Sequence, residues 1–170
     1  MFFTFLPLLS LDVNVLWYLM KLAKTVQLDI SDTKIFETPA NVGEWALAGT
    51  FTFVDSNPDG WSNKQKLCFE TAWLGVGSFG YSTFVQTTGV SPSEFEELLD
   101  TVAKHLTKKY GAPSKDEAEK AAKLEIDDMI TLCDHPSGTL LAIERTFSGD
   151  NIVERTRMVS PGTELLKPII

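Results

Sequence analysis

The alternation of apolar and polar residues predicts several strands in the first half of the chain. Residues 25–30 alternate with a period of two, which is typical of a half-buried strand, and residues 34–37 form a second, short strand. Residues 44–54 carry the strongest strand pattern, with four large apolar side chains on one face. Gly49 lies within this strand, and we expect a neighbouring segment to approach its backbone closely.

The second half of the chain combines helical and extended patterns. Residues 62–74 place apolar residues at helical spacing, whereas residues 81–88 are rich in the aromatic and β-branched residues of strands. Capping boxes that begin at Ser91 and Ser114 predict two consecutive helices. These helices form an αα-hairpin, with Gly111 as the cap at the end of the first helix.

A β-hairpin is predicted near the end of the chain, with its turn at Gly149. Its strands span residues 139–147 and 152–159. This turn sets a register in which Glu144 faces Arg155 and Arg145 faces Glu154. Two cross-strand pairs of opposite charge from one register support the prediction.

These elements predict a single α+β domain between residues 20 and 160. We expect an antiparallel sheet of five or six strands, with three helices packed mainly on one face. The helices are one single helix and the αα-hairpin. The expected core consists of large apolar residues: Trp45, Phe51, Phe53, Trp73, Phe84, Phe95, Leu99, Val102, Ile126 and Ile143.

Residues 1–19 are apolar, but they fit neither a membrane span nor a signal peptide. Pro7 and Asp12 interrupt the apolar run, and no basic residue precedes it. A polar, periodic segment begins at Met20, so we interpret residues 1–19 as an extension outside the domain. An N-terminal anchor and a signal peptide are the alternatives, and residues 161–170 are interpreted as a C-terminal tail.

The composition limits which binding partners and which cellular compartment we expect. The formal net charge is −8 and the sequence pI is near 4.7. We expect no nucleic-acid partner, because an acidic surface repels phosphate backbones. Two cysteines make no disulfide framework and indicate a reducing compartment, so we expect a cytoplasmic protein. Membrane binding is expected only if residues 1–19 are a genuine anchor.

Gly75, Gly77 and Gly80 have the spacing of a dinucleotide-binding fingerprint. That fingerprint follows a strand and begins a helix, so that the pyrophosphate meets the helix N-terminus. Here a predicted helix precedes the glycines and a predicted strand follows them, so phosphates would meet the negative end of the helix dipole. We therefore interpret the glycines as a tight connection that relieves crowding, and we expect no cofactor.

Five residues are candidates for a ligand site. Arg145 and Glu154 share a core-facing side of the hairpin, where the guanidinium suits a small carboxylate or phosphate; alternatively the pair fixes the register. Cys133 and His135 lie at a helix C-terminus, where a core cysteine and a capping histidine are the simpler interpretation. Tyr81 directly follows the glycines. No catalytic residue is assigned, and the cysteine and histidine spacing does not support a metal site.

Four segments of the chain carry a resemblance to a known family. They are LDISDTKIFE, GEWALAGTF, WLGVGSFGYSTFVQ and LCDHPSGTLLAIERT. The family that they resemble is an uncharacterised bacterial family of about this length, a domain of unknown function, and the resemblance covers residues 20–159. It supplies no catalytic residues. Its members are associated with biotin- or lipoate-ligase-like proteins and with the assembly of cofactor-bearing oxidoreductases, which implies an accessory role.

We expect a small, acidic, non-enzymatic binding or accessory protein that recognises a protein partner through an aromatic-rich surface. No set of nucleophile, base and orienting group can be assembled from the sequence. The resemblance adds a role in the maturation of a cofactor-bearing oxidoreductase. The alternative is a small-molecule-binding protein or enzyme with a site between residues 75–80 and 133–145, for which a closed pocket lined by Arg145, His135 and Tyr81 is the signature.

Overall fold

The computed structural model describes residues 13–160, and in that part of the chain it contains five α-helices and seven strands. The helices are α1 (Val13–Leu19), α2 (Ser31–Ile35), α3 (Asn63–Thr71), α4 (Pro92–Tyr110) and α5 (Lys115–Leu132). The strands are β1 (Lys21–Val26), β2 (Trp45–Leu47), β3 (Trp73–Val76), β4 (Tyr81–Ser82), β5 (Phe84–Gly89), β6 (Leu140–Ser148) and β7 (Asn151–Met158). Two short 3-10 helices span Thr50–Phe53 and Pro58–Gly60.

The strands form one antiparallel sheet in the order β4-β3-β2-β1-β5-β6-β7. The predicted combination of helices with an antiparallel sheet is confirmed, but the predicted numbers of strands and helices are too low. Successive residues of a strand point to opposite faces, and Leu22 and Ala23 of β1 are both completely buried. The centre of the sheet is therefore covered on both faces, which differs from the expected packing mainly on one face.

The strand predictions near the N-terminus are wrong. β1 lies earlier than residues 25–30, because its buried residues pair with β5 along their whole length. The residues predicted as a second strand, 34–37, belong partly to α2. A local turn explains the difference: the carboxylate of Asp29 accepts the backbone N–H of Ser31 at 2.7 Å, and this Asx turn leads into the helix.

The strongest predicted strand, residues 44–54, is only three residues long in the structure. After β2, Gly49 adopts a left-handed conformation with φ 77°, and the chain continues as a 3-10 helix. A Cβ atom at Gly49 would lie 2.6 Å from the Cβ of Leu74, so the expected close approach is confirmed. The left-handed turn takes the chain out of the sheet, although its apolar pattern suggests a longer strand.

The helix predicted over residues 62–74 ends early. Ser62 caps α3 in a reciprocal capping box with Gln65, but the helix stops at Thr71. Trp73 and Leu74 belong instead to β3, in which all four residues are buried. A strand that is buried on both faces has a continuous apolar run without alternation, and periodicity alone does not distinguish it from a buried helix.

The αα-hairpin is confirmed with its capping residues. At the start of α4, Ser91 accepts the backbone N–H of Glu94 at 3.2 Å, and the Glu94 carboxylate accepts the N–H of Ser91 at 2.8 Å. Ser114 caps α5 by accepting the N–H of Glu117 at 3.1 Å. Gly111 follows α4 with φ 65°, as expected for a left-handed C-terminal cap.

The predicted hairpin register is also confirmed. Glu144 pairs with Arg155, Arg145 pairs with Glu154, and Gly149 in the turn has φ 61°.

The expected core is confirmed in part. Phe53, Trp73, Phe95, Val102, Ile126 and Ile143 are buried, whereas Trp45, Phe51, Phe84 and Leu99 are partly buried.

Residues 1–12 and 161–170 lie outside the described part of the chain, and with them the predicted tail and most of the predicted extension. The rest of that extension is α1, whose Trp17 packs edge-on against Phe95 with the ring centroids 5.3 Å apart. Between residues 13 and 160, no helix combines the length and apolar character needed to span a membrane.

Candidate functional site

An aromatic cluster connects the end of α2, the 3-10 helices, α3 and the strands β4 and β6. Its members are Phe36, Phe53, Trp61, Phe69, Tyr81 and Phe147. Phe53 is buried at its centre, with ring centroids 5.4 Å from Phe69, 6.1 Å from Trp61 and 6.0 Å from Tyr81. Phe69 also stacks on Phe147 at 4.6 Å. Ring pairs of this kind each contribute about 0.5–1.5 kcal/mol beyond the area that they bury, so the cluster is a stable wall.

An open cleft with a volume of about 400 Å³ lies against this wall, and we refer to it as the aromatic cleft. Its lining consists of three aromatic residues (Phe53, Trp61, Tyr81), three charged residues (Glu37, Lys64, Lys109) and five others (Thr38, Thr52, Ser56, Gln65, Cys68). Small-molecule sites in proteins have volumes of about 300–1,000 Å³ and combine apolar walls with a few polar groups. The cleft has this volume and an aromatic wall, although most of its lining residues are polar.

The charge of the aromatic cleft is opposite to that of the whole chain. Lys64 comes from the first turn of α3, and Lys109 from the last turn of α4. Glu37 is the one carboxylate among the lining residues that the structure describes. The local balance is therefore positive, although the protein carries a formal net charge of −8.

The two titratable groups on the floor of the aromatic cleft are neutral at physiological pH. Burial raises the pKa of Cys68 to about 12, and the nearby charge of Arg145 opposes the shift only in part. Burial also raises the pKa of Tyr81, whose hydroxyl group donates a hydrogen bond to Oγ1 of Thr52 at 3.2 Å. Since the thiolate is the reactive form of cysteine, the Cys68 thiol is a poor nucleophile.

Arg145 lies behind the cluster and is completely buried. Its Nη1 donates to the carbonyl oxygens of Phe69 at 3.0 Å and Ala72 at 2.8 Å, at the C-terminal end of α3. Its Nε donates to Oγ1 of Thr50 at 2.8 Å, and its Nη2 donates to the carbonyl oxygen of Ala48. The guanidinium thus links the end of α3 to the segment that follows β2.

The partner of Arg145 across the hairpin is Glu154. The Nε atom of Arg145 lies 3.6 Å from Oε2 of Glu154, and the same carboxylate accepts a hydrogen bond from the hydroxyl group of Thr50. Because the guanidinium makes four hydrogen bonds within the protein, its fork is already occupied. This geometry agrees with the interpretation that the pair fixes the register of the hairpin. It leaves few hydrogen-bond donors of Arg145 for a ligand.

The three glycines form a β-hairpin turn between β3 and β4. The prediction that a helix enters this turn is wrong, because α3 ends before β3 begins. A helix does not leave the turn either, so the arrangement of a dinucleotide-binding fingerprint is absent from this part of the described chain. The Glu44 carboxylate lies in the turn, where it accepts hydrogen bonds from the Ser78 backbone N–H at 2.7 Å and from the Ser78 hydroxyl group at 2.6 Å.

Crowding explains why glycine occupies these positions. A Cβ atom at Gly75 would lie 2.5 Å from a carboxylate oxygen of Glu44, and one at Gly77 would lie 2.9 Å from the other. A Cβ atom at Gly80 would collide with the backbone of Pro39. The turn therefore already holds an anion, the side chain of Glu44, and the expected relief of crowding is confirmed.

Cys133 and His135 lie at a different place from the other candidate residues. Cys133 is completely buried at the end of α5, and burial raises its pKa to about 12. The backbone N–H of His135 donates to the carbonyl oxygen of Cys133 at 2.8 Å. Cys133 borders a separate cavity beside Leu19 and Lys21. The structure therefore brings Tyr81, Arg145 and Glu154 close to the aromatic cluster, but not the other two.

Metal ligands are not clustered in the described part of the chain. Between residues 13 and 160, no group of three or more histidine, cysteine, aspartate or glutamate side chains is arranged to hold a metal ion. His105 instead stacks on Phe79, with the ring centroids 3.5 Å apart. Burial lowers the pKa of His105, and the charge of Lys109 adds to the shift.

The carboxyl group of Glu125 on α5 lies near two other carboxylates, those of Asp128 and Glu154. Burial raises the pKa of Glu125 to about 7, and the negative charges of Asp128 and Glu154 increase the shift. When the pKa of a carboxyl group is higher in the folded than in the unfolded state, the group does not lower the free energy of unfolding at a pH below its unfolded pKa. The loss of stability grows as the pH rises toward the folded pKa and is complete above it.

Replacing Glu125 with glutamine should therefore stabilise the protein at pH 8 and leave its stability nearly unchanged at pH 4. The side chain is partly exposed, so solvent screening reduces the expected gain at pH 8 to about 1–2 kcal/mol. Urea unfolding at both pH values measures the difference. Glu119→Gln, on the exposed face of the same helix, is the control. An equal effect of Glu125→Gln at both pH values would contradict the prediction.

The fold and its cleft define a mixed α/β domain built on one antiparallel sheet. The chain belongs to a family of unknown function, DUF6505, whose sequence profile matches residues 20–169. This match confirms the predicted resemblance and extends it beyond residue 159. No curated protein and no solved structure matches the chain.

Sequence reasoning missed most of the aromatic cleft. Trp61 had a detectable signal, because it stands between the turn-forming residues 56–60 and the helix cap Ser62, where a large aromatic residue is unusual. Lys64 and Lys109 had no signal, since they are separated in sequence and look like ordinary solvated helix residues. Only the packing of α3 and α4 around the cluster brings them together.

Proposed function

We propose that this protein is a non-enzymatic binding domain and that the aromatic cleft is its ligand site. The observation that carries the proposal is a cavity of about 400 Å³ with a preformed aromatic wall and no activated nucleophile. Cys68 is held as a neutral thiol, and no histidine occurs among the lining residues that the structure describes. Catalysis needs a nucleophile or base in a suitable protonation state, whereas binding needs only shape and complementary groups.

The wall is rigid before any ligand arrives, which favours binding. Phe53 contacts three other rings, and Trp61 packs against Phe69 at 5.2 Å and Phe147 at 6.0 Å. A preformed wall avoids the cost of ordering side chains on association, which is about 0.5–1.5 kcal/mol for each flexible side chain. Trp61 and Tyr81 are only half-buried, so part of each ring is available to a ligand.

A neutral planar probe tests this proposal. Wild-type protein should bind 2-naphthol saturably in isothermal titration calorimetry, and Trp61→Ala should weaken that binding at least about tenfold, because a stacked ring is worth about 1–3 kcal/mol. Ser56→Trp should also weaken it, since a large side chain at this exposed lining position would occupy the volume in front of the aromatic wall.

Tyr18→Ala is the control for Trp61→Ala and Ser56→Trp. Tyr18 is 85% exposed and lies outside the aromatic cleft, so its loss should change the 2-naphthol affinity less than about twofold. Equal binding by wild type and Ser56→Trp, or no saturable binding by wild type, would show that the cleft is not a ligand site.

The accessory role in maturing a cofactor-bearing oxidoreductase, and recognition of a protein partner, stay predictions. The aromatic cleft supports a binding role of either kind, since its apolar wall suits a small ligand or a side chain presented by a partner. Affinity purification from the native cell, comparing wild type with Ser56→Trp, would show whether any protein partner depends on the cleft.

A further inference from the structure

We infer that the aromatic cleft selects small, planar aromatic anions, that is, a flat ring system carrying a carboxylate, sulfonate or phosphate group. This inference rests on the proposed binding function and names the chemical class of its ligand. It follows from three properties of the cleft: the shape of its wall, the charge at its rim and its volume.

The wall favours a flat ring. Trp61, Tyr81 and Phe53 present aromatic surface to the cleft from three segments that are distant in sequence. Phe53 and Tyr81 lie at an interplanar angle of 33° with their ring centroids 6.0 Å apart, and the half-buried rings of Tyr81 and Trp61 are the more exposed part of the wall. Aromatic surfaces of this kind prefer offset-stacked or edge-on contacts with another ring. An aliphatic chain would gain only the free energy of burying its apolar surface, without the ring-to-ring contacts.

The rim favours a negative charge. Lys64 and Lys109 approach the aromatic cleft from two different helices. Within residues 13–160 neither lysine forms an ion pair, whereas Lys104 pairs with Asp100 at 2.7 Å and is neutralised locally. The carboxylate of Glu37 offsets one of the two cleft charges, and one positive charge remains.

The remaining polar groups also favour a negatively charged group on the ligand. Gln65 uses its Oε1 to accept the backbone N–H of Ser62 at 2.8 Å, which leaves its amide nitrogen as a donor. Donors suit the oxygen atoms of an acid group. The volume of about 400 Å³ accommodates one or two fused rings with such a group, and it is too small for a dinucleotide.

Matched probes test the inference. At pH 7 and low salt, 2-naphthalenesulfonate should bind about tenfold more tightly than the neutral 2-naphthol, because two opposite charges a few ångströms apart at a protein surface attract each other by more than 1 kcal/mol. The cationic 2-naphthylmethylammonium should bind more weakly than either. Raising the ionic strength should weaken the binding of the sulfonate and leave that of the naphthol nearly unchanged.

Charge-reversal variants assign the effect to the cleft. Lys109→Glu and Lys64→Glu should each weaken 2-naphthalenesulfonate binding about tenfold while changing 2-naphthol binding less than about twofold. Lys108→Glu is the matched control, because it reverses the same charge on the neighbouring residue of α4, which does not line the aromatic cleft. All three side chains are exposed, so the variants should fold normally.

Each failure has a distinct meaning. If 2-naphthol binds and the sulfonate binds no more tightly, the selectivity for anions is wrong and the proposed binding function stands. If Lys108→Glu and Lys109→Glu weaken 2-naphthalenesulfonate binding equally, the selectivity of the cleft for anions is also wrong. The attraction would then come from the general electrostatic field of the protein and not from residues that line the cleft. If no probe binds, the ligand site itself is disproved.

Discussion

Replacing Arg145 with methionine is expected to lower the free energy of unfolding by about 3–5 kcal/mol, the usual cost of removing one partner of a buried ion pair. Methionine fills a similar volume but donates no hydrogen bond. The carbonyl oxygens of Phe69 and Ala72 would then remain buried without this donor, and the half-buried carboxylate of Glu154 would lose its ion-pair partner. The midpoint of urea unfolding measures the loss.

Arg155→Met is the matched control for Arg145→Met. It breaks the adjacent cross-strand pair, in which Nη2 of Arg155 lies 2.7 Å from Oε2 of Glu144, but the Arg155 side chain is 81% exposed. Exposed ion pairs contribute about 0–1 kcal/mol, so this variant should unfold almost like the wild type. Similar losses in both variants would show that burial does not set the importance of Arg145.

Replacing Gly80 with alanine is expected to destabilise the protein by about 3 kcal/mol, at the upper end of the usual cost of overpacking. The new Cβ atom would lie 2.5 Å from the carbonyl carbon of Pro39 and 2.7 Å from the backbone nitrogen of Ala40. Those atoms have little freedom to move, because the N–H of Ala40 donates to the carbonyl oxygen of Tyr81 at 2.9 Å.

Gly60→Ala separates this steric effect from a general effect of losing glycine. Nothing lies within 4 Å of a Cβ atom at Gly60, and its φ is not in the left-handed region. Its unfolding free energy should therefore stay within about 1 kcal/mol of wild type, with a small gain where the unfolded chain loses freedom. Thermal unfolding followed by circular dichroism compares the two variants. A Gly80→Ala protein as stable as Gly60→Ala would disprove the close contact.

Local signals in the sequence were sufficient for the C-terminal half of the fold. The caps at Ser91, Ser114 and Gly111 act within four residues of the helix end that they determine, so the sequence contains all of their partners. The hairpin register was predictable for the same reason, because a short turn at Gly149 places the opposed residues of β6 and β7.

The N-terminal half shows where local patterns fail. The apolar run of β3 resembled the end of a helix, because a strand buried on both faces shows no alternation. Residues 50–53 resembled a strand, because aromatic side chains suit a sheet as well as the places they actually occupy: Phe53 joins the aromatic cluster and Phe51 packs against Tyr110. In both places the deciding partner is a segment distant in sequence.

The glycine turn shows how a sequence argument can rest on a wrong premise. The sequence predicted that no dinucleotide binds there, from the direction of a helix that does not enter the turn. In the structure a strand enters the turn instead, and the carboxylate of Glu44, more than thirty residues earlier, accepts the Ser78 backbone N–H there. A pattern of spaced glycines does not reveal which group fills the space beside them.

The candidate site was the least predictable part of the molecule. Arg145 and Tyr81 were identified from the sequence because an arginine on an apolar face and a tyrosine beside spaced glycines are unusual in themselves. In the structure Arg145 is buried behind the aromatic cluster, whereas Tyr81 lines the aromatic cleft together with Trp61, Lys64 and Lys109. Nothing within any of their own segments distinguishes these two lysines from the other lysines of the chain.

By itself, the sequence determined where both helices of the αα-hairpin begin, the cap at the end of the first, the register of the last two strands and the family to which residues 20–169 belong. Tertiary structure alone decided that an arginine would be buried among carbonyl groups and that an aromatic cleft would form between α3 and α4. The physical reason is range: caps and turns are completed by residues a few positions away, whereas a cleft exists only where separate segments pack together.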